Sequence, residues 1–577
     1  MPEPQGTAGA PGRPWLSRYP KGVPPEIPDR PELLPQRLER AVARGPGRPA
    51  IRYYGATYRY RDLWDLSGRF ARALQEEGVG PGDRVAIYLP NTPLYPIAFF
   101  GVLRAGATVV QVSPLYHGED LVTILRDATP EAIVTHEFLY PHLAEVRERA
   151  PVPRAFVARL RSFYPALARP FVNTVLRRRG HPTAFPDDPT IVPWHRVRRA
   201  PPDPRPVPPA DPKTAVAVLQ YTGGTTGTAK GAMLTHRNLL ANVDQLAAWD
   251  VERRDGAEVV LTAIPLFHIY GLTVGMLLAL CEGDTVVLQT QPDIPEMLRL
   301  IGRYRPTQLP GVPALYLGLL RNPATHAVQL RSLRYCLSGS APLPVEVQRE
   351  FEARTGAVVC EGYGLTEASP VTHANPLVGE RRAGSIGLPL PSTEQKVVDP
   401  DDPSRPAEPG AIGELCVRGP QVMAGYYGRP EETAQVLSPD GWLRTGDLAR
   451  IDADGYASIV DRKKDMINVG GLKVYPREVE EILFQHPAVA EAAVVGVPDE
   501  SHGEVVRAYV VLRPGQSATA EEIIAFVRDR LAHYKAPRSV EFRTALPRSG
   551  VQKVLRRVLR AEAGHAPEAG ATGAPPP

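Results

Sequence analysis

Two hydrophobic rhythms exchange along this chain. Short, nearly unbroken apolar runs such as "DRVAIYLP", "ATVVQV", "AEVVLTAI", "DTVVLQ", "LRYCLSG" and "AVVCEGYG" predict buried strands. Between them, "PLYPIAFFGVLRAG", "GLTVGMLLALC" and "LPVEVQREFEARTG" predict helices, the first closed by Gly106. Strands alternating with helices predict an α/β fold with mixed, mostly parallel sheets flanked by helices. After Leu415 the pattern shortens to strands and turns, as in "GELCVRGP" and "DADGYASIVD". From Val474 a compact α+β unit is expected: helix "PREVEEILFQHP", strands "VAEAAVVGVP" and "EVVRAYVVLRP", and helix "TAEEIIAFVRDRLAHY". The domain boundary falls at the charged turn Asp461 to Asp465. No solenoid period is evident.

With 577 residues the chain exceeds a single core, and 43% hydrophobic with 23% charged residues is ordinary for a globular protein. Cys281, Cys336, Cys360 and Cys416 stand far apart with no CxxC pair, which suggests neither zinc nor a disulfide framework. The N-terminus lacks the apolar core of a signal peptide, and "GLTVGMLLALC" is too short to span a bilayer, so a cytoplasmic protein is expected. Net charge is +4, yet Pro151 to Gly180 alone holds seven arginines and no acid. Phe156, Phe163, Tyr164 and Phe171 are interleaved with them. That mixture suits an anionic membrane face, or else a solvated surface insertion; no reader motif accompanies it, which argues against nucleic acid. Only nine of the 67 basic residues are lysine, and five of those crowd into the last fifth of the chain. In a chain that otherwise uses arginine, some of those lysines are expected at positions that require a compact, flexible ammonium, and their placement says where to look.

The densest local signal is "YTGGTTGTAKGAM", Tyr221 to Met233. Gly and Thr at this density disfavour both helix and strand, so a loop is expected between the strand "TAVAVLQY" and a helix from about His236. Ligands of parallel sheets bind beyond strand C-termini, where backbone N–H groups and threonine hydroxyls can converge on phosphate. The pattern is not the GxxxxGK[ST] of P-loop NTPases, because Ala229 precedes Lys230 and Gly231 follows it. A plain flexible loop is the competing reading.

The loop is joined, in order, by "PLFHIYG", "SGSAPL", "GYGLTEASP", "GWLRTGDLA", "DRKKDMINVGGLKVYP" and "LPRSGVQKVLRR". This series resembles the acyl-adenylate-forming family over about Trp15 to Val558. The resemblance implies a large domain over 15–461, a hinge at 462–464 centred on Lys464, and a small mobile domain over 465–560 that carries the AMP-binding-enzyme C-terminal motifs. Tails of 1–14 and 561–577 are expected to be disordered. It further implies a triphosphate site at Thr222, Gly223, Gly224, Thr225, Thr226, Gly227 and Lys230. Gly339, Ser340, Ala341 and Pro342 would pass along the adenine, with Glu361, Gly362, Tyr363 and Gly364 completing the nucleotide site. Asp447 would take the ribose hydroxyls and Arg462 the ribose or phosphate. Glu367 and Thr225 would hold Mg²⁺, and Thr366 would contact phosphate. Lys553 would bridge the substrate carboxylate and the α-phosphate, although Gln552 stands where the family usually has glycine. Gly470, Gly471 and Lys473 would face CoA, while His268 and Gly271 would border the acyl pocket. Without the family, Glu367 is equally a helix-start acid, His268 a core residue, Asp447 and Arg462 a routine exposed pair, and Lys553 an exposed cation.

Within the family, "WLSRYPKGVP", "GYGLTEASPVTHANP" and "SGSAPLPVEVQREFE" look most like bacterial long-chain fatty-acid–CoA ligases. The implied substrates are a fatty acid, ATP and CoA. Aryl-acid or medium-chain ligases are the nearest rivals. A ligase that loads a carrier protein and a non-catalytic nucleotide-binding scaffold are rivals of other classes. A homodimer is compatible with a sequence that carries no signal of oligomeric state.

Overall fold

The computed structural model describes residues 12–182, 188–202, 211–222, 229–327, 330–548 and 554–565. The chain divides into two compact units: 1–395 with 417–443 and 454–456, and 396–416 with 444–453 and 457–577.

The first unit is built on an eight-stranded sheet in the order Gly425–Tyr426, Lys230–Thr235, Val216–Thr222, Thr108–Val112, Arg84–Tyr88, Ala132–His136, Arg154–Ala158, Ile191–Pro193. Its central strands run parallel, with Val85 opposite both Val109 and Ala132. They are apolar on both faces because helices cover both. Leu94–Arg104, buried along its whole length, is one of those helices and ends before Gly106 at φ +84°. A second sheet orders Val259–Thr262, Thr285–Leu288, Pro49–Tyr53 and Ala56–Arg59. A third orders Tyr335–Ser338, Val358–Gly364, Val371–Ala374 and Leu388–Pro389. The α/β class expected from the strand–helix rhythm is thus the observed one.

Three details differ from the sequence reading. First, the Gly/Thr loop does not lead directly to a helix. Lys230–Thr235 returns as a strand antiparallel to Val216–Thr222, and the helix starts only at His236. Its start is set by a capping box: Thr235 Oγ1 accepts from Asn238 N at 3.1 Å, and Asn238 Oδ1 accepts from Thr235 N at 2.9 Å. Second, "GLTVGMLLALC" begins as a π-helix, Gly271–Leu277, before the α-turns Leu278–Glu282. Third, the aromatic residues of Pro151 to Gly180 do not share one surface. Phe156 and Phe163 are buried, and Tyr164 stacks on Tyr54 at 5.6 Å between ring centroids. Phe171 alone of the four is exposed.

The second unit holds nearly all of a four-stranded sheet, Glu394–Val398, Gly413–Arg418, Leu443–Ile451 and Ala457–Arg462. It also holds a five-stranded sheet whose long hairpin, Val489–Asp499 with Gly503–Leu512, buries Val494, Val506, Ala508 and Val510 against the helices Pro476–Phe484 and Ala520–Arg528. The last of these stops short of the expected "RLAHY" because the chain turns so that Tyr534 and Ala536 reach the same core. Of the tails expected at 1–14 and 561–577, residues 1–11 and 566–577 lie outside the described residues. Residues 561–565 continue the helix Arg556–His565, in which buried Leu559 and the neighbouring Ala563 pack on Val495 and Tyr509. Among the described residues, no helix is long and apolar enough to cross a membrane.

Candidate functional site

The strand Val216–Thr222 lies beside Thr108–Val112 in parallel register, Val109 opposite Val218. Its last residue, Thr222, lies at the C-terminal edge of the parallel strands, where open α/β sheets bind ligands. Gly223, Gly224, Thr225, Thr226 and Gly227 lie outside the described residues; the flanks are described, with Thr222 opposite Lys230. Lys230 therefore opens the return strand. A second segment zips onto that strand: Ala424 N donates to Met233 O at 3.0 Å, and Tyr427 N donates to Gly231 O at 2.8 Å. Gly425 and Tyr426 pair there with Met233 and Ala232.

This segment brings Lys230 and Glu367 to one residue. The Tyr426 phenol donates to Glu367 Oε1 at 2.7 Å, and Lys230 Nζ stands 5.3 Å from the Tyr426 ring centroid. Burial, followed by the Glu367 carboxylate, pushes the phenol well above the usual tyrosine range, so it remains the donor. The backbone repeats the tie, since Met423 N donates to Glu367 O at 2.8 Å. Thr366 and Glu367 occupy one tight turn, Thr366–Ala368, which only Leu365 separates from Gly364. Only glycine fits at 364, because a Cβ there would sit 2.1 Å from the Pro370 carbonyl oxygen.

Tyr335–Ser338 and Val358–Gly364 run parallel, with Ser338 opposite Glu361. Gly339, Ser340, Ala341 and Pro342 therefore leave one strand end beside Glu361, Gly362, Tyr363 and Gly364 on the next. Ser340 has φ +66°, a left-handed conformation that non-glycine residues seldom adopt and that gathers at ligand sites. Gly339 is held by its N–H to Gly311 O at 3.1 Å, and a Cβ on it would meet the Tyr270 ring at 3.4 Å. His268 is half-buried, its Nδ1 accepting from Tyr270 N at 3.3 Å. Gly271, buried, opens the π-helix; a Cβ there would collide with the Pro265 carbonyl oxygen at 2.0 Å. The structure thus gathers the described triphosphate, metal and adenine candidates, together with the two acyl-pocket candidates, into the first unit.

The second unit holds the remainder. Asp447 and Arg462 face each other across antiparallel strands, Arg462 Nε 3.5 Å from Asp447 Oδ1. Lys464 lies exposed in the turn Lys463–Asp465. Gly470 and Gly471, at φ +58° and +87°, form the two-residue turn between Ile467–Val469 and Leu472–Val474. A hairpin turn with positive φ at both positions demands such residues whatever ligand passes. Lys473 Nζ lies 3.7 Å from Asp401 at a cleft of about 240 Å³ that Lys463, Met466 and Tyr475 also line. Lys553 lies outside the described residues.

Among the described residues no three His, Cys, Asp or Glu side chains are grouped to hold a metal. Glu367 is a single carboxylate. That donor set fits Mg²⁺, which takes one or two carboxylates and fills its octahedron with substrate phosphates and water.

Sequence reasoning missed Tyr426, Asp127 and Arg429. Asp127 accepts from Tyr221 Oη and from Arg429 Nη2, each at 2.7 Å, which anchors the strand that enters the Gly/Thr loop. The "GYYG" at Gly425 to Gly428 offered a signal, but it reads locally as a turn.

The model of the AMP-binding enzyme family matches residues 38–427, and that of the AMP-binding enzyme C-terminal domain matches 478–553. The chain belongs to the AMP-binding enzyme family. This AMP-binding enzyme is 43% identical over 551 residues to a long-chain-fatty-acid–CoA ligase of Bacillus subtilis, covering 95% of this chain and 98% of the relative. Among solved structures, it resembles the anthranilate CoA ligase AuaEII in complex with anthranoyl-AMP, at TM-score 0.82 and 26% identity over 93% of this chain and 98% of that one. It also resembles ATP-bound MatB from Rhodopseudomonas palustris, at TM-score 0.77 and 30% identity over 92% and 98% of the two chains.

Proposed function

We propose that this protein joins a long-chain fatty acid to CoA through an acyl-AMP intermediate, releasing pyrophosphate and then AMP. The observation that carries the reading is the 43% identity to a long-chain-fatty-acid–CoA ligase across nearly both chains. The geometry supports the chemistry. A carboxylate oxygen attacks the α-phosphate of ATP, the P–O bond to pyrophosphate breaks, and negative charge gathers on oxygens that oriented donors and cations must meet. Lys230 brings positive charge to the exit of the Gly/Thr loop, and Thr366 and Glu367 sit in the turn tied to the same strand. Mg²⁺, held by Glu367 with Thr225, would neutralise phosphate charge. Gly339 to Pro342 and Glu361 to Gly364 offer two adjacent backbone edges to a flat base. In the second unit Asp447 can accept two ribose hydrogen bonds beside Arg462. Lys464 as hinge, Lys553 as the adenylation lysine, and Gly470, Gly471 and Lys473 at CoA belong to the same reading.

Palmitate is expected to give CoA-dependent AMP release, with octanoate slower and 4-coumarate slower still. AMP release that favours 4-coumarate would move the substrate class to aryl acids, and no AMP with any acid would remove the ligase reading.

Membrane contact belongs to the same proposal, because the substrate partitions into lipid. The helix Arg169–Arg178 has no buried residue, and it presents Phe171 at 72% and Leu167 just before it at 97% exposure beside Arg169, Arg177 and Arg178. An apolar pair within an arginine cluster suits an anionic bilayer surface. Leu167→Ser with Phe171→Ser is expected to weaken sedimentation with anionic vesicles roughly tenfold or more, the loss of two buried apolar side chains. Equal sedimentation of parent and variant would reject the contact.

A further inference from the structure

We propose that Tyr426 is a positioning residue for nucleotide binding, holding the Glu367 carboxylate and the Lys230 ammonium in one fixed arrangement. The inference rests on the ligase reading for the roles of Glu367 and Lys230. Tyr426 lies 59 residues from Glu367 in sequence yet donates to its Oε1 at 2.7 Å. Its ring also stands 5.3 Å from Lys230 Nζ, within the range in which a cation is attracted to an aromatic face.

The residue that performs this double contact is itself locked. Tyr426 pairs with Ala232 on the return strand, and its N–H donates to Thr433 Oγ1 at 2.9 Å. Gly425 before it has φ +140°, and a Cβ there would meet Thr433 Cγ2 at 2.9 Å. The same Thr433 hydroxyl donates to Arg429 O at 2.8 Å. The tyrosine is therefore placed by a strand pair on one side and by a threonine of the helix Pro430–Val436 on the other.

Two consequences follow for the carboxylate. A phenol-to-carboxylate bond is charge-assisted and directional, so it restricts the Glu367 rotamer before nucleotide arrives. With Oε1 engaged by the phenol, Oε2 would be the oxygen offered to a divalent cation. Binding then costs less side-chain ordering, the usual benefit of preorganisation. The ring stays beside Lys230 even when the hydroxyl is removed, so the two contacts can be separated experimentally.

The test is equilibrium binding of ATP by calorimetry as Mg²⁺ is varied, using parent, Tyr426→Phe, Glu367→Gln and the double variant as full-length chains. Tyr426→Phe keeps the ring and deletes only the donor. The half-saturating Mg²⁺ concentration for ATP binding is expected to rise roughly 10- to 100-fold, the range for losing a hydrogen bond to a charged group. Binding of ATP in EDTA should stay within about twofold of the parent, and the double variant should be no worse than Glu367→Gln alone, as for two residues acting through one contact. In turnover, KM for ATP at limiting Mg²⁺ should rise while KM for the fatty acid does not. Unchanged Mg²⁺ dependence in Tyr426→Phe overturns the proposal, as does additivity in the double variant. An equal loss of binding in EDTA also overturns it, because that would mark a packing residue. Should the parent bind Mg·ATP but form no AMP with any acid, the ligase reading falls while the Tyr426 test still reads. Should it bind no nucleotide, both fall.

Discussion

Lys553→Ala is expected to slow acyl-AMP formation about 10²- to 10³-fold, the cost of removing one donor aimed at developing charge. Adenylation brings a carboxylate against a polyphosphate, so two anions must approach within bonding distance. An ammonium between them stabilises the pentacovalent arrangement more than the separated reactants, and only such differential binding accelerates the step. Thioester formation needs no such bridge, since acyl-AMP has already lost pyrophosphate. Palmitate-dependent exchange of pyrophosphate into ATP should therefore collapse in the variant. Conversion of synthetic palmitoyl-AMP and CoA to palmitoyl-CoA should stay within a few-fold of the parent. Lys553→Arg should recover little, because a planar fork does not replace a compact ammonium. The residues just after the lysine have a firm foundation within the second unit. Arg556 Nη2 bonds both oxygens of Glu480 at 2.8 and 2.7 Å, and Nη1 lies 3.4 Å from Asp465 and 3.6 Å from Asp461. Burial opposes the Arg556 charge, and Glu480 with Asp461 more than restores it, so the guanidinium stays protonated. Equal losses in both half-reactions would strip Lys553 of its assigned role.

Arg37→Met is expected to cost the first unit about 3–5 kcal/mol, the range for breaking a buried ion pair from one side. The Arg37 side chain is 4% exposed and serves three carboxylates at once. It donates to Glu32 at 2.8 Å, to both oxygens of Asp244 at 2.8 and 3.2 Å, and to Glu282 at 3.0 Å. Burial works against the guanidinium, and Asp244 and Glu32 outweigh it. Taking the cation away leaves three acids with side-chain exposures of 11, 11 and 14%, poorly solvated and mutually repelling; Arg40, which also reaches Glu32 at 2.6 Å, compensates for one of them at most. Arg37→Lys keeps the charge but not the fork, and an intermediate loss is expected. The readout is the urea midpoint of the first unit's transition, followed separately from that of the smaller unit because a two-unit chain need not unfold in one step. A Met variant within about 1 kcal/mol of the parent would show that the cluster is energetically neutral.

Much of this protein was legible in its amino-acid order alone. The alternation of apolar runs with amphipathic stretches specified an α/β fold, and individual elements such as Arg84–Tyr88, Leu94–Arg104 and Val358–Gly364 lie where their periodicity placed them. The candidate chemistry was named there through a family resemblance, carried by a Gly/Thr loop, a Thr–Glu turn and a lysine-bearing C-terminal motif that are each contiguous in the chain. Local pattern encodes local backbone, since side-chain period and turn residues act over a few positions.

What the order of residues could not supply are contacts between distant positions. "KGAMLT" reads as part of a loop, and it is a strand only because Val216–Thr222 on one side and Gly425–Tyr426 on the other give its backbone partners. Gly470 and Gly471 suggested room for a ligand, whereas their positive φ values answer first to a hairpin. Phe156 and Phe163 looked like companions of Phe171 until packing buried them. Tyr426 meets Glu367 across 59 residues, and Arg37 meets Asp244 and Glu282 across 207 and 245. No periodicity spans such separations. They are set by how layers stack and which strands pair, where the loss of chain entropy is repaid only when the whole core closes. The residues therefore named the candidate components, and the tertiary structure decided which distant side chains meet them.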